Sequence, residues 1–490
     1  MRQAPKPSVA VVAKRLLRRA LPVCLGMALV VAAGYRVALG QTAPERAQAS
    51  GMSLEAQAQI NALLSEKAAL TPTQRKIDSR LLHAKRRLTG ETSVTTDFAL
   101  ARAADGRVQV ELRAEVTDRL LTALAAQGVN IVATQSSGRS VLVDADLPQI
   151  EQIAALPDVY FVQPKPDYMT NGISIRSSIN SDADIATRRE RKVRARAALI
   201  ASVRTALSDQ QAITNVGSVT SQGDATHKAS AARATFGVNG TGVKVGVISD
   251  GVGGLATSQA TGDLGAVTIL PGQAGSGAEG TAMLEIVHDL APNAQLYFAT
   301  ALPTPAQFAQ NIRDLRTAGC DIIVDDVGYF VETPFQDGQA PAVISTTNGG
   351  VVIQAVKDVT AAGALYFSSA ANSGSKDLGT SGTWEGDFAD GGPWDPVLTP
   401  PGKTAGRVHS FGALAYDAVV LDGTTGPVTL HWSDPLGGSA NDYDIFILSE
   451  TGEDLFDFSI NAQTGTQDPY ERMGQAFSGA TAPITKTRPP

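Results

Sequence analysis

Acidic and amide side chains lie beside predicted apolar elements at three places in this 490-residue chain, and these residue types can carry out proton chemistry. Asp250 follows the run VKVGVIS, Glu279 begins the helical pattern EGTAMLEIVHDL, and Asn372 follows the run GALYFSS. A carboxylate can take a proton from a hydroxyl, although its ordinary pKa of about 4.3 suits acidic conditions unless burial or a neighbouring acid raises it. An acid in a first helical turn can also be present only because the helix dipole favours it.

The elements that must position these residues alternate between strand and helix. VKVGVIS, GAVTIL, AQLYFAT, DIIVDDV and GALYFSS are apolar runs that predict strands, and helical patterns separate them. Such alternation predicts a parallel sheet covered by helices on both faces. Ligands of these sheets bind beyond the carboxyl ends of the strands, where the three side chains fall.

The regions on either side have different patterns. Residues 107–165 alternate in the order β-α-β-β-α-β, which is typical of a ferredoxin-like fold. After about residue 380 short alternating segments are separated by Gly, Asn and Asp turns, which predicts a β-sandwich.

Three segments, 240–252, 277–294 and 363–374, resemble the aspartate, histidine and oxyanion blocks of the subtilase and sedolisin clan of serine peptidases. The resemblance covers roughly residues 225–380 and implies an incomplete parallel, subtilisin-like sheet. Sedolisins place a glutamate where this chain has Glu279, whereas subtilases place a histidine. The resemblance implies that a serine attacks the peptide bond, Glu279 accepts its proton, Asp250 supports Glu279, and Asn372 stabilises the oxyanion.

Two positions depart from the clan's pattern. Met283 stands one turn after Glu279, where sedolisins have an aspartate. Asp250 stands one residue beyond the subtilase aspartate, so it can face inward only if the strand has already ended or bulges there. Asp250 is still the predicted partner of Glu279. Asp326 is the alternative candidate for this role. Asp325 and Asp326 could instead be loop residues that shape the cleft.

The chain divides into five segments, of which the first has the pattern of an export signal. The second resembles the inhibitory propeptide of subtilisin-like proteases, with a small binding module as the alternative, and the third could be a solvated helix, a linker or a segment cut during maturation. The signal is indicated by a basic stretch followed by ALPVCLGMALVVAAG. We expect a signal peptide (1–41), a propeptide region that is ferredoxin-like from about 107 (42–165), a linker or maturation segment (166–235), a partial catalytic domain (236–380) and a jelly-roll-like β-sandwich insertion (381–490).

The nucleophile is the part that the sequence does not supply. The clan's Gly-Thr-Ser block is matched only by LGTSGTWEGD, where Ser381 is nine residues after Asn372 and no helix pattern follows. We interpret Ser381 as a loop residue and expect the serine block to lie beyond residue 490 or to have been lost, which leaves this chain inactive. The alternative is a secreted, non-catalytic binding protein built on a degenerate peptidase fold.

Composition limits the remaining function classes. The net charge of −7 argues against a nucleic-acid partner. The sequence contains no His-Glu-x-x-His motif, which argues against a metalloprotease. We expect a secreted or periplasmic protein with no stable membrane span after signal removal, and with a protein or peptide substrate and its own propeptide as partners. No cofactor is expected, although Asn441, Asp442 and Asp444 could bind calcium; a plain Asx-rich turn is the alternative. Cys320, between a predicted helix and strand, is expected to be a small buried residue.

Overall fold

The computed structural model describes twelve stretches of the chain. These are residues 52–96, 100–170, 217–334, 347, 349–371, 377, 382–394, 406–412, 416–420, 427–449, 451–474 and 481–488. The expected signal peptide, most of the 166–235 segment, Asn372 and Ser381 lie outside them. Within the described stretches, no helix combines the length and apolar character that crossing a membrane requires.

The N-terminal region consists of two helices followed by a four-stranded antiparallel sheet in the order β2-β3-β1-β4. Its elements are α1 (Leu54–Ala68), α2 (Ser79–Thr89), β1 (Val108–Ala114), α3 (Asp118–Ala126), β2 (Asn130–Gln135), β3 (Ser140–Ala145), α4 (Ile150–Ala154) and β4 (Val159–Pro164). The strands and helices after residue 107 follow the β-α-β-β-α-β order that their hydrophobic periods predict. Buried side chains such as Val110, Leu112 and Leu124 form the core between this sheet and its helices.

The middle region contains a five-stranded parallel sheet in the order β11-β9-β6-β8-β7, so the predicted α/β architecture is present. Its elements are β5 (Tyr168–Thr170), α5 (Gln222–Thr226), α6 (Ala229–Phe236), β6 (Lys244–Ser249), α7 (Leu255–Thr261), β7 (Val267–Ile269), α8 (Glu279–Leu290), β8 (Gln295–Thr300), α9 (Pro305–Thr317), β9 (Ile322–Asp325), β10 (Val327–Tyr329), α10 (Val351–Ala361) and β11 (Leu365–Ser368).

Helices cover both faces of this sheet. Phe308 and Ile312 of α9 pack with Ala355 of α10 over one face. Leu284 of α8 packs with Phe298 over the other face. Cys320 is fully buried between α9 and β9, and burial raises the pKa of its thiol to about 11, which agrees with a structural rather than a nucleophilic role.

The C-terminal region is all β. A six-stranded sheet has the order β12-β13-β19-β16-β17 with β14 also paired to β19, and β15 pairs with β18 in a separate ribbon. Its strands are β12 (Asp390–Pro393), β13 (Arg407–His409), β14 (Tyr416–Val420), β15 (Val428–His431), β16 (Asp444–Leu448), β17 (Leu455–Ser459), β18 (Tyr470–Met473) and β19 (Thr481–Arg488). The β-rich character follows the sequence pattern, while a jelly-roll-like sandwich stays a prediction.

Helix α2 is buried on two sides. Leu81 and Leu82 pack into the core of the N-terminal sheet. Arg80 and His83 lie toward the β-rich region, where the His83 ring meets Phe458 edge-on with centroids 5.1 Å apart. Residues assigned from sequence to separate domains therefore share a core, because this short helix packs against both regions.

Candidate active site

Three carboxylic acids meet at the carboxyl edge of the parallel sheet. Strand β6 ends at Ser249 and Asp250 follows it, while β9 ends at Asp325 and Asp326 follows that strand. Helix α8 begins with Glu279 beside them. Because neighbouring parallel strands end at the same edge, residues far apart in the sequence become neighbours there.

Asp250 bonds the backbone at the start of α8. Its Oδ1 atom accepts hydrogen bonds from the N–H of Gly251 at 2.6 Å and from the N–H of Glu279 at 3.1 Å. Ala278, at the N-cap position, has no side chain that can accept these bonds, so Asp250 supplies the missing acceptor from another element. Asp250 thus contacts the backbone N–H of Glu279, whereas the prediction concerned the Glu279 carboxyl group.

The side chain beside that of Glu279 is Asp326, the alternative candidate from the sequence. The Asp326 carboxyl lies beside the side chains of both Glu279 and Ser249, and Asp326 is only 5% exposed. Burial, together with the neighbouring Glu279 carboxyl, raises the pKa of Asp326 to about 7, while the Ser249 hydroxyl opposes this shift. Asp326 therefore keeps its proton up to about neutral pH.

Asp325 has a different environment from Asp326, although both are buried. Its Oδ1 atom accepts a hydrogen bond from Ser368 Oγ of β11 at 2.9 Å and from the backbone N–H of Val327 at 3.3 Å. Burial raises the pKa of Asp325, while the hydroxyls of Tyr366 and Ser368 oppose that shift. Asp325 therefore ties β9 to β11, and it is the last residue of a strand and not the loop residue that the sequence analysis offered as the alternative.

The glycines on either side of Glu279 permit close packing around Asp250 and β8. A Cβ atom on Gly277 would lie 1.9 Å from Asp250 Oδ2, and its φ of +127° is outside the range of other residues. A Cβ atom on Gly280 would lie 2.3 Å from Phe298 Cε2 and 2.5 Å from the Gly251 carbonyl oxygen. The glycines thus hold the first turn of α8, and with it Glu279, against the ends of β6 and β8.

Replacing Gly277 by alanine should destabilise the protein by about 2–5 kcal/mol, because backbone strain and a clash with the Asp250 carboxylate act together. Gly272→Ala is the matched control. Gly272 also has a positive φ of +74°, but a Cβ there meets nothing within 4 Å, so only strain of about 1–2 kcal/mol is expected. Urea unfolding of the two variants measures the difference, and equal losses would contradict the predicted clash.

A short extended segment of the same chain lies beside the acids. Strand β10 begins one residue after Asp326 and pairs antiparallel with β5, in the register Val327 to Thr170 and Tyr329 to Tyr168. The rings of Tyr168 and Tyr329 have centroids 6.1 Å apart. The backbone of β10 therefore offers an edge that an extended peptide can pair with, next to the Glu279–Asp326 pair.

The predicted oxyanion donor, Asn372, lies outside the described residues. Ser381, which the sequence analysis interprets as a loop residue, also lies outside them. Met283, which occupies the position of the sedolisin aspartate, packs among apolar side chains between α8 and the sheet. Sequence reasoning missed Ser249 as a contact of Asp326. The signal in the sequence is that Ser249 ends the apolar run. Because it is the last residue of β6, it lies at the carboxyl edge of the sheet with the acids.

The predicted calcium ligands have other partners. Asn441 Nδ2 donates to Asp434 Oδ1 at 2.7 Å, while Oδ1 of Asp442 and Oδ1 of Asp444 lie 2.7 and 2.8 Å from the Lys67 ammonium. An ammonium group thus stands where a cation would have to bind these two acids. In the described part of the chain, no group of three His, Cys, Asp or Glu residues is arranged to hold a metal ion.

Neither a protein-family model nor a curated protein matches the sequence. Among solved structures, the chain is similar to fervidolysin from Fervidobacterium pennivorans, a keratinolytic enzyme related to subtilisin, with a TM-score of 0.30 and 11% identity. The likeness covers 78% of this chain and 55% of fervidolysin, so the chain spans little more than half of that protein's length. A TM-score this low carries no argument about function, which must come from the side chains themselves.

Proposed function

We propose that this chain is the precursor of an exported serine-type endopeptidase in which the carboxyl pair of Glu279 and Asp326 handles the proton of the reaction. The observation that carries the proposal is the contact between these two acids at the carboxyl edge of a parallel sheet. Burial raises the pKa of Asp326 to about 7, so above this pH the ionised Asp326 makes the site a stronger base than a free carboxylate.

In the complete reaction, a serine hydroxyl attacks the peptide carbonyl carbon and passes its proton to Glu279. Above neutral pH Asp326 is ionised and shares that proton with Glu279, while Asn372 donates a hydrogen bond to the carbonyl oxygen as it becomes negative. Collapse of the tetrahedral species returns the proton to the leaving amine, and water later releases the acyl group by the same steps. Asp250 keeps Glu279 in place through the backbone of α8.

The strand pairing beside the pair supports a peptide as substrate. An extended substrate can bond to β10 as β5 does, which is the common mode of strand addition at a sheet edge. Since β5 directly follows the N-terminal sheet, the same contact supports the chain's own N-terminal region as the partner that covers this edge.

The far edge of the sheet supports a partial catalytic domain. Leu365 and Phe367 of the edge strand β11 are 58% and 56% exposed in the described structure. Large apolar side chains on an edge strand are normally covered by further protein. The sequence matches the nucleophile block only at Ser381, which we interpret as a loop residue. We therefore expect this chain alone to be inactive.

The first test is an assay of the purified chain with a denatured protein substrate between pH 3 and 8. No turnover is expected. Turnover that survives Ser381→Ala would reveal a nucleophile elsewhere, and turnover lost in that variant would make Ser381 the nucleophile. The genomic sequence after codon 490 gives the complementary result, because a Gly-Thr-Ser block there supports the peptidase and its absence favours the secreted binding protein.

In a protein extended by such a block, Glu279→Gln and Asp326→Asn should each lower kcat by about 10²–10⁴-fold, the usual contribution of general acid–base catalysis. Glu285→Gln is the matched control, because Glu285 lies on α8 but six residues from Glu279, on a different side of the helix. Its kcat should stay within about twofold of the parent protein. Equal losses in all three variants would contradict a specific role for the pair.

A further inference from the structure

Residues 52–96 have no hydrophobic core of their own. Ala56, Ile60 and Leu63 of α1 are at most 1% exposed, and they pack in one cluster with Phe446 and Phe458 of the β-rich region. Val94, Trp394, Val408, Leu448, Leu455 and Ile460 complete this cluster. Because apolar burial is the main favourable term in folding, the β-rich region and the N-terminal helices stabilise each other.

Buried charges cross the same surface. The Lys67 ammonium of α1 contacts both Asp442 and Asp444, and the Asp444 side chain is fully buried. In α2, Arg80 Nε lies 3.6 Å from Asp457 Oδ1, with side-chain exposures of 1% and 4%. Separating the two regions would expose these charges to water, so the pairs determine which surfaces meet more than they add to the affinity.

Hydrogen bonds fix the orientation of the two parts. The backbone N–H of Ser79 donates to Asn461 Oδ1 at 2.8 Å, and Ser79 Oγ accepts from the N–H of Ile460 at 3.1 Å. Trp394 Nε1 donates to Asn61 Oδ1 at 2.8 Å. Bonds to backbone and indole groups need a fixed geometry, so the contact is specific and not a loose apolar association.

The contact of the N-terminal region with the parallel sheet is much smaller in comparison. Strand β5 forms three residue pairs with β10, and Gln163 Nε2 adds a bond of 2.9 Å to the Thr347 carbonyl oxygen. Ser137 Oγ adds a bond of 2.8 Å to Gln310 Oε1, and Asp167 forms an ion pair with Arg472 of the β-rich region. The apolar cluster is therefore the larger of the contacts that hold residues 52–170. The β5–β10 pairing can open locally while α1 and α2 stay in the core of the β-rich region.

We propose that residues 52–170 and the β-rich region form a lasting association through α1 and α2, which persists when the chain is cut between residues 170 and 217. The partner of this surface is thus the N-terminal part of the same chain. The inference does not depend on the proposed peptidase activity, since it concerns the association of two fragments. It does imply that any uncovering of the edge at β10 is a local opening and not a loss of the whole N-terminal region.

The experiment uses the full chain with a recognition sequence for a site-specific protease placed between residues 170 and 217. After complete cutting, size-exclusion chromatography at micromolar loading is followed by denaturing gels of each fraction. We expect both fragments in one peak, at low and at high salt. Elution of the N-terminal fragment in its own peak from a folded C-terminal fragment would overturn the proposal.

Two charge substitutions on α1 show which surface holds the fragments. Ile60→Asp places a charge in the shared core and should release the N-terminal fragment after cutting, whereas Leu54→Asp, at a position that is 81% exposed on the same helix, should not. If the fragments of a folded Ile60→Asp variant still co-elute, the proposed surface is wrong.

Should Ile60→Asp fail to fold before cutting, Asn61→Ala provides the second variant. It removes the acceptor of the Trp394 indole and should speed fragment dissociation about fivefold, as expected for one hydrogen bond. An unchanged dissociation rate would count against the proposed surface.

Discussion

Asparagine at position 326 should make the protein more stable at pH 8 and leave its stability nearly unchanged at pH 3. The folded protein raises the pKa of Asp326 to about 7, above the unfolded value near 4. Below the unfolded pKa the carboxyl is neutral in both states and differs little from an amide. As the pH rises from about 4 to 7, the unfolded chain loses a proton that the folded one keeps, so the wild-type protein becomes less stable relative to the variant.

The expected gain of Asp326→Asn at pH 8 is about 2–4 kcal/mol, since each unit of pKa difference corresponds to about 1.4 kcal/mol. Urea unfolding at pH 3, 5 and 8 measures it. Asp358→Asn is the control, because Asp358 forms an exposed pair with Arg313 and its replacement should cost no more than about 1 kcal/mol at any of these pH values. A variant that is destabilised at pH 8 would show that the Asp326 carboxylate is well stabilised in the fold, against the site described here.

Arg80→Met should have the largest opposite effect, a loss of about 3–5 kcal/mol in the free energy of unfolding. Arg80 is 1% exposed and faces the buried carboxylates of Asp457 and Asp78, whose pKa values burial raises and Arg80 lowers. Methionine fills a similar space but leaves the buried Asp457 carboxylate without its cation and Asp78 with only the charge of Arg472. The loss should therefore be greater at pH 8 than at pH 4, where these acids can take up protons.

Thermal and urea unfolding of Arg80→Met are best compared with those of Arg313→Met. The Arg313–Asp358 pair is exposed, with side-chain exposures of 32% and 42%, and its loss should cost about 0–1 kcal/mol. Similar losses in the two variants would mean that the Arg80 guanidinium contributes no more than a surface charge. The contrast also tests the surface on which the retention of residues 52–170 depends.

The sequence predicted the elements of the parallel sheet well because each is defined locally. The apolar run before Asp250 ends as a strand at Ser249, and the helical pattern that starts at Glu279 is a helix from its first residue. Both signals lie within a few residues of the element they define, so no long-range contact is needed to read them. The predicted meeting of acids at one sheet edge follows from the same pattern.

The partners of the acids could not be predicted in the same way. Asp250 and Asp326 both follow strands, and only the packing of α8 decides that the first meets the Glu279 backbone and the second its side chain. The Lys67 ammonium is 375 residues from Asp442, so no local pattern relates them. Such contacts depend on tertiary geometry that hydrophobic periods do not encode.

The two-sided burial of α2 restricts the way in which this part of the chain can change. One inserted residue turns every later side chain by about 100° around the helix axis. It would move Leu82 out of the N-terminal core and His83 away from Phe458 in the same step. The length of α2 is thus fixed by two cores at once, whereas the exposed turn at 103–106 can gain or lose residues without shifting either of them.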